Sequence, residues 1–196
     1  KNYLLESIFN NLRILNPNLT IVVPTATINL VNSQKKFNII ETPSNKMGPF
    51  SEYIRKLKDS IRSYHAIWSL SANGPLAEFI TKDISRHAYD YNSSFSRLFK
   101  IKKSSFLSIG KHPRFMLSII HYFENMFKVP YRFKKEFNIS CEVNNKYSAE
   151  TFSLDVLKNE FRDKPRAYNK KIFENFEKKE DLKQTNFGKG NIYYFD

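Results

Sequence analysis

Cysteine is almost absent from this chain. Cys141 stands alone, which excludes an intramolecular disulfide and a cysteine-based zinc site. Histidine is scarce too: His65, His87, His112 and His121 leave little room for a histidine-rich metal site, so no metal is expected. There are five glycines, none in a phosphate-loop or dinucleotide pattern, and there is no Gly-x-Ser-x-Gly elbow. Long apolar runs are missing as well. The longest uncharged apolar run, around Phe115 to Phe123, is too short and too mixed to span a bilayer. No cationic start is followed by an apolar stretch and a cleavage site, so no signal peptide is expected and the cytoplasm is the expected location.

What the chain does have is aromatic and basic. Its 196 residues include 18 Phe and 11 Tyr within a 41% hydrophobic composition, enough to bury a core and exclude disorder. The net charge of +13 suits a polyanionic partner or a phosphorylated ligand. The basic residues are spread along the chain rather than blocked, and abundant Lys, Asn, Ile and Phe also fit a coding bias. Charge alone therefore names no partner. Without repeats, low-complexity tracts or an evident linker, residues 1–196 are expected to form one domain.

Apolar periodicity predicts a helix over residues 3–15, from Leu4, Leu5, Ile8, Phe9 and Leu12, stopped at Pro17. Leu19 to Val23 reads as a buried strand, and helix followed by buried strand implies an α/β layer. A possible strand covers Phe37 to Ile40. Ser51 is placed to cap a helix whose apolar face carries Tyr53, Ile54, Leu57 and Ile61. Gly74 and Pro75 open another helix, and Ser94 a short one. Phe106 to Ile109 reads as a second buried strand, followed by a helix from Pro113 to Lys128. Residues 131–140 and 147–154 look extended, 155–183 helical and charged, and Asn191 to Phe195 a terminal strand.

Three places offer chemistry. His121 and Glu124, spaced i and i+3, share a helix face; the carboxylate can fix the imidazole tautomer and support the imidazolium, a general-base arrangement. The same spacing suits a histidine satisfied by packing and one hydrogen bond. The stretch from Ile61 to Ser69 gathers Arg62, Ser63, His65, Trp68 and Ser69. Arg62 can hold a phosphate or carboxylate and the serines an amide-bearing ligand, or the stretch is a helix C-terminus with a basic cap and a buried Trp. Glu52, just after Met47-Gly48-Pro49-Phe50, has an ordinary explanation in a helix dipole. His87 and His112 read as surface residues.

Taken in order, the motifs form a pattern. Val23-Pro24-Thr25 ends a strand, and Met47-Gly48 precedes Ser51-Glu52-Tyr53 and Arg55. Arg62-Ser63-Tyr64-His65 comes next, with Ser69, Ala72 and Gly74 after it. Ser85-Arg86-His87-Ala88 precedes Ser94-x-x-Arg97-Leu98, and Ser118-Ile119-Ile120-His121-Tyr122-Phe123-Glu124 leads into Val129-Pro130-Tyr131-Arg132. In this order and spacing they resemble the aminoglycoside 3-N-acetyltransferase family, over roughly residues 4–137.

The resemblance implies a three-layer α/β/α sandwich, acetyl-CoA as acyl donor and an amine of an amino sugar as acceptor. It puts His121 in the position of the general base with Glu124 as its acidic partner, and His65 among the catalytic residues. It places Arg62, Ser63, Ser69 and Thr25 by the cofactor and Glu52 by the substrate. Two departures stand out. The proline that normally follows the second histidine is Ala66 here. Only 23 residues precede Pro24, so the family's N-terminal strand and serine-rich CoA-binding loop are expected to be missing from this sequence. A basic protein suits the phosphates of CoA and suits a polycationic antibiotic poorly, which favours a phosphorylated amino sugar in glycan or secondary-metabolite biosynthesis over drug resistance. The rival reading is a non-catalytic nucleic-acid-binding module stacking bases on Tyr131-Arg132-Phe133-Lys134-Lys135.

Overall fold

The structure, a computed structural model, describes residues 2–110, 118–162, 178, 182–187 and 190–195. The chain divides into two compact units, Lys1–Arg97 with Lys134–Asp155, and Leu98–Phe133 with Val156–Asp196.

In the first unit, helix α1 (Asn2–Leu15) rests Phe9 and Leu12 on a cluster of Ile21, Val23 and Ile54. Arg13 near its end donates to the Leu19 carbonyl and to Asn73, stitching the helix to the sheet beneath. That sheet is antiparallel, ordered β1 (Ile21–Pro24), β4 (Leu70–Asn73), β3 (Ser60–Arg62), with Val23 opposite Ser71 and Arg62 opposite Ser71 on the other side. All four residues of the central strand β4 are buried. Helix α2 (Pro49–Lys56) buries Ile54, and α3 (Ala77–Thr81) buries Ile80. Gly74, at φ +131°, makes the turn into α3; a Cβ there would stand 2.5 Å from the Leu19 carbonyl oxygen, so a side chain is excluded.

The unit's second sheet pairs β2 (Phe37–Asn38) parallel to β6 (Arg132–Val143), which neighbours β7 (Lys146–Leu157). Asn144 and Asn145 join β6 and β7 with φ of 52° and 60°, the left-handed pair that a two-residue hairpin turn requires. Leu30, Phe37, Ala66, Ile67, Ile139, Cys141 and Phe152 form the core against this sheet. Helix α4 (Ser94–Phe99) completes the run of the first segment.

In the second unit, β5 (Phe106–Ile109), β9 (Gly190–Phe195) and β8 (Lys183–Phe187) make an antiparallel sheet with β9 central, Ser108 and Thr185 flanking Tyr193 and Ile192. Helix α5 (Ile120–Met126) packs Tyr122 and Phe123 around Phe99.

Helices beside sheets make this an α/β protein, as expected, and several local expectations are corrected. Gly48, not Ser51, precedes α2, with Pro49 at its first position and Ser51 inside the helix and buried. The helix ends at Lys56 because Leu57 turns extended (φ −65°, ψ 140°), and Ile61 sits in a strand opposite Ala72. β5 is not a buried strand: Leu107 and Ile109 are exposed on one face, while on the other Ser108 is buried and Phe106 partly so. Residues 155–157 continue β7 instead of starting a helix, and a 3-10 turn follows at Asn159–Phe161. His112, the expected start of a helix at Pro113, and residues 163–177 and 179–181 of the helix expected over 155–183 lie outside the described residues, and Lys183 opens a strand instead.

Candidate active site

The residues expected to meet the cofactor converge in the first unit, where β1 ends against β4 and β3. Thr25 and Ser69, 44 residues apart, face each other at 3.1 Å between hydroxyls, and Thr25 meets Ser71 at the same distance. Arg62 enters from the end of β3. Its Nε donates to Ser69 Oγ at 2.9 Å, one terminal nitrogen to the Thr25 carbonyl at 2.7 Å, and the other to the carbonyls of Thr42 at 2.6 Å and Ile39 at 3.3 Å. Its guanidinium also lies 5.1 Å from the Phe37 ring centroid. Ser63 Oγ accepts the Leu70 N–H. Thr25, Ser63 and Ser69 are fully buried and Arg62 nearly so. Burial, with Arg55 nearby, brings the Arg62 guanidinium down to about 9, which still leaves it charged at neutral pH. Three of the four expected cofactor-binding side chains, Thr25, Arg62 and Ser69, thus form one hydrogen-bonded knot inside the protein, while Ser63 holds the Leu70 main chain beside it. Asn29-to-Asn45 chemistry missed from the sequence feeds it: the Ile39 and Thr42 carbonyls are acceptors that no side-chain motif announces.

His65 is also interior. Its Nδ1 accepts the N–H groups of Ile67 and Trp68 at 3.3 and 3.0 Å, closing the loop before β4, and its ring stands 5.1 Å from Phe152. Burial drives its pKa down to about 4, with the Ser153 and Arg86 main chains pulling the other way. It is neutral at physiological pH and serves as a backbone acceptor. His87 is not the surface residue expected. Its Nδ1 accepts the Tyr89 N–H, and its Nε2 lies 3.4 Å from Asp155, both side chains about nine-tenths buried.

Glu52 sits in the first turn of α2, as the dipole argument expects. Its carboxylate accepts the Ser44 N–H and hydroxyl and pairs with Arg55. Burial alone would raise its pKa, but these bonds prevail and hold it at about 2. The acid anchors the 44–55 loop through groups it already holds.

The second unit carries the other expected pair. α5 places His121 and Glu124 on one face, and His121 Nδ1 meets Glu124 Oε2 at 2.5 Å. The imidazole remains 28% exposed while the carboxylate is 5% exposed. Two residues that sequence reasoning assigned elsewhere complete the cluster. Arg132 Nε lies 2.6 Å from the same Oε2, and the Tyr131 hydroxyl donates to Oε1 at 3.2 Å. Burial would raise the Glu124 pKa, yet His121, Arg132 and Tyr131 outweigh it and hold the carboxyl below its ordinary range. The signal was in the text of the chain: Pro130 turns it back after α5, so the next two side chains return to the helix. In the first unit, Lys134 pairs with Glu136 and Lys135 lies over Phe137, so these lysines of the aromatic-basic stretch face their own strand neighbours.

A buried carboxylate orienting a half-exposed imidazole can serve as a general base, and the family of the chain decides what for. A family model for aminoglycoside 3-N-acetyltransferases matches residues 8–196. The chain belongs to the aminoglycoside 3-N-acetyltransferase family. It is therefore an N-acetyltransferase, an acyltransferase acting on amino groups, and its co-substrate is acetyl-CoA. Solved structures carry the same fold. YokD from Bacillus subtilis is 19% identical, with a TM-score of 0.77 over 97% of this chain and 79% of its own. AAC-IIIb in a binary complex with CoASH is 18% identical, with a TM-score of 0.79 over 98% of this chain and 78% of its own. Sisomicin-bound AAC-VIa is 18% identical, with a TM-score of 0.81 over 98% of this chain and 79% of its own. No curated protein matches the sequence. Among the described residues, no group of three or more His, Cys, Asp or Glu could hold a metal ion, and no helix is long and apolar enough to cross a membrane.

Proposed function

We propose that this N-acetyltransferase moves the acetyl group of acetyl-CoA directly onto an amine of an amino sugar, with His121 as general base and Glu124 as its orienting partner. The observation that carries the reading is the 2.5 Å contact between His121 Nδ1 and the buried Glu124 carboxylate. A proton on Nδ1, held by the carboxylate, leaves the Nε2 lone pair for the substrate amine. His121 Nε2 takes the amine proton as the N–C bond forms and the thioester C–S bond breaks, then returns it to the departing sulfur. Such help is worth ~10²–10⁴ in rate. Acetyl-CoA supplies the activated acyl group. Holding it beside the amine removes much of the entropic barrier to their meeting.

Thr25, Arg62, Ser63, Ser69, His65 and Glu52 serve the reaction from inside the fold in this reading. They fix the backbone of the loops that the family resemblance sets beside the co-substrate and the amine. We read residues 1–196 as one acetyltransferase-like domain with the family's three-layer α/β/α arrangement.

For the acceptor, the +13 charge favours an amino sugar that carries phosphate over a polycationic aminoglycoside. Thiol release from acetyl-CoA, followed with a nucleotide-linked amino sugar and with an aminoglycoside at matched concentrations, tests both levels. Faster release with the phosphorylated sugar is expected. Faster release with the aminoglycoside reverses the choice of acceptor, and no release with any amine overturns the catalytic reading.

A further inference from the structure

Glu124 is shared. His121 Nδ1 and Arg132 Nε both reach its Oε2, at 2.5 and 2.6 Å, while Tyr131 donates to Oε1. Among the described residues, ionisable groups thus meet this carboxylate from α5, from the turn before β6 and from the start of β6. The Glu124 and Arg132 side chains are 5% and 11% exposed, so solvent and salt screen their interaction weakly.

We propose that Arg132 is a positioning residue that sets the basicity of His121 through Glu124; the proposal rests on the reading of His121 as the base. A carboxylate paired with an imidazole alone stabilises the imidazolium and keeps the ring protonated, and a protonated ring cannot accept an amine proton. Arginine changes that balance because its own charge never titrates in this range. With Arg132 present, protonating His121 places a positive charge beside a carboxylate that already carries a fixed cation. Without Arg132 the same protonation would meet the carboxylate with one positive charge fewer, which is the easier step. Arg132 therefore opposes the charging of His121 while Glu124 still fixes its tautomer. Tyr131 supports this by donating to Oε1, which leaves Oε2 to His121 and Arg132.

The test is the titration of His121 in the full chain, followed by the NMR shifts of its ring and identified by the signal lost in His121→Asn. Arg132→Gln should raise its midpoint by about one pH unit, the scale for removing one charge at this range. The acid limb of kcat/KM should move by the same amount, and Arg132→Lys, which keeps the charge, should stay near wild type. A loss of activity at every pH with an unmoved His121 midpoint would reduce Arg132 to a structural prop and overturn the proposal. Should Arg132→Gln not fold, Glu124→Gln decides. It removes the carboxylate's negative charge and keeps the arginine's positive one, so the His121 midpoint should fall below its wild-type value. A midpoint at or above that value overturns the proposal. These shifts are read without turnover, so they stand apart from the base assignment, which fails separately if His121→Ala keeps its activity.

Discussion

Arg62 in one unit and Arg132 in the other are both largely buried, yet opposite kinds of partner hold them. Arg62 is received by three carbonyls, one hydroxyl and an aromatic face, none of them charged. Arg132 is received by a carboxylate that a histidine also uses. Neutral carbonyls belong to the backbone, so an arginine that binds several of them fixes loops in place. A shared carboxylate belongs to a proton equilibrium, so an arginine on it moves that equilibrium. Sequence alone shows an Arg near a His in both regions. The acceptors distinguish the region that holds shape from the region that handles protons.

The largest expected effect breaks the first half of this contrast. Arg62→Met removes the donor to the Thr42 and Ile39 carbonyls and one of the two donors to the Thr25 carbonyl, which Ser69 still serves, at ~1–3 kcal/mol for each sheltered group left unpaired. A loss of about 3 kcal/mol or more in urea unfolding is expected, with acetyl transfer per folded molecule kept within a few-fold. Unchanged stability with lost CoA affinity would place Arg62 in direct contact with the co-substrate and remove the contrast.

His65 tests the same region by pH. Its folded pKa, lowered by burial to about 4, lies below the ~6.5 of an exposed imidazole. Between those values the unfolded chain binds a proton that the folded chain refuses, so stability is full above ~6.5 and falls as pH drops toward 4. The full loss is on the order of 3 kcal/mol. Glu52, held at about 2 by Arg55 and Ser44 against the opposing effect of burial, adds a second decline as pH falls from its ordinary 4.5 toward that value. Urea midpoints at a series of pH values should show both steps, and His65→Gln should flatten the upper one. A flat profile between pH 6.5 and 4 in the wild type would show His65 protonating freely in the fold.

In the second region the expected loss is in rate. His121→Ala should cut acetyl transfer at least ~100-fold, about 2.7 kcal/mol of barrier, while unfolding and CoA binding change little. Near-normal turnover would remove the proton-handling side of the comparison.

Much of the frame was legible before the structure, and the reasons are local. α1 and β1 announce themselves by apolar spacing, and the His121–Glu124 pair follows from the geometry of a single helical turn. β4 was not read as a strand: Leu70-Ser71-Ala72-Asn73 has no β-branched or aromatic residue, and it is a strand because it lies between two others. The Thr25–Ser69 contact joins positions 44 apart, and no periodicity reaches that far. Arg132 escaped notice as a partner of Glu124 because the contact crosses from a helix to a strand through a proline turn. The interior setting of Arg62 was hidden by its chemistry, since charged residues are rarely buried without an opposite charge and here backbone carbonyls take that place.

The smallest effects sharpen the contrast most, because each removes a single hydroxyl. Ser69→Ala deletes the oxygen that accepts from Arg62 Nε and donates to the Thr25 carbonyl. Tyr131→Phe deletes the donor to Glu124 Oε1. Both remove hydrogen bonds in sheltered surroundings, worth about 0.5–1.5 kcal/mol for an ordinary bond and ~1.5–3 for one to a charged group. If acceptor identity sets the role, the two deletions must report in different measurements. Ser69→Ala should lower the unfolding free energy by about 1–2 kcal/mol and leave the pH dependence of kcat/KM in place. Tyr131→Phe should leave stability nearly intact, because Arg132 and His121 still hold the carboxylate. Its effect should be a few-fold change in kcat/KM with an acid limb displaced to higher pH, since Glu124 then keeps more of its negative charge for His121. Equal losses of stability from both, with identical pH profiles, would show that the two regions differ only in composition and that neither arginine has a part in the proton equilibrium.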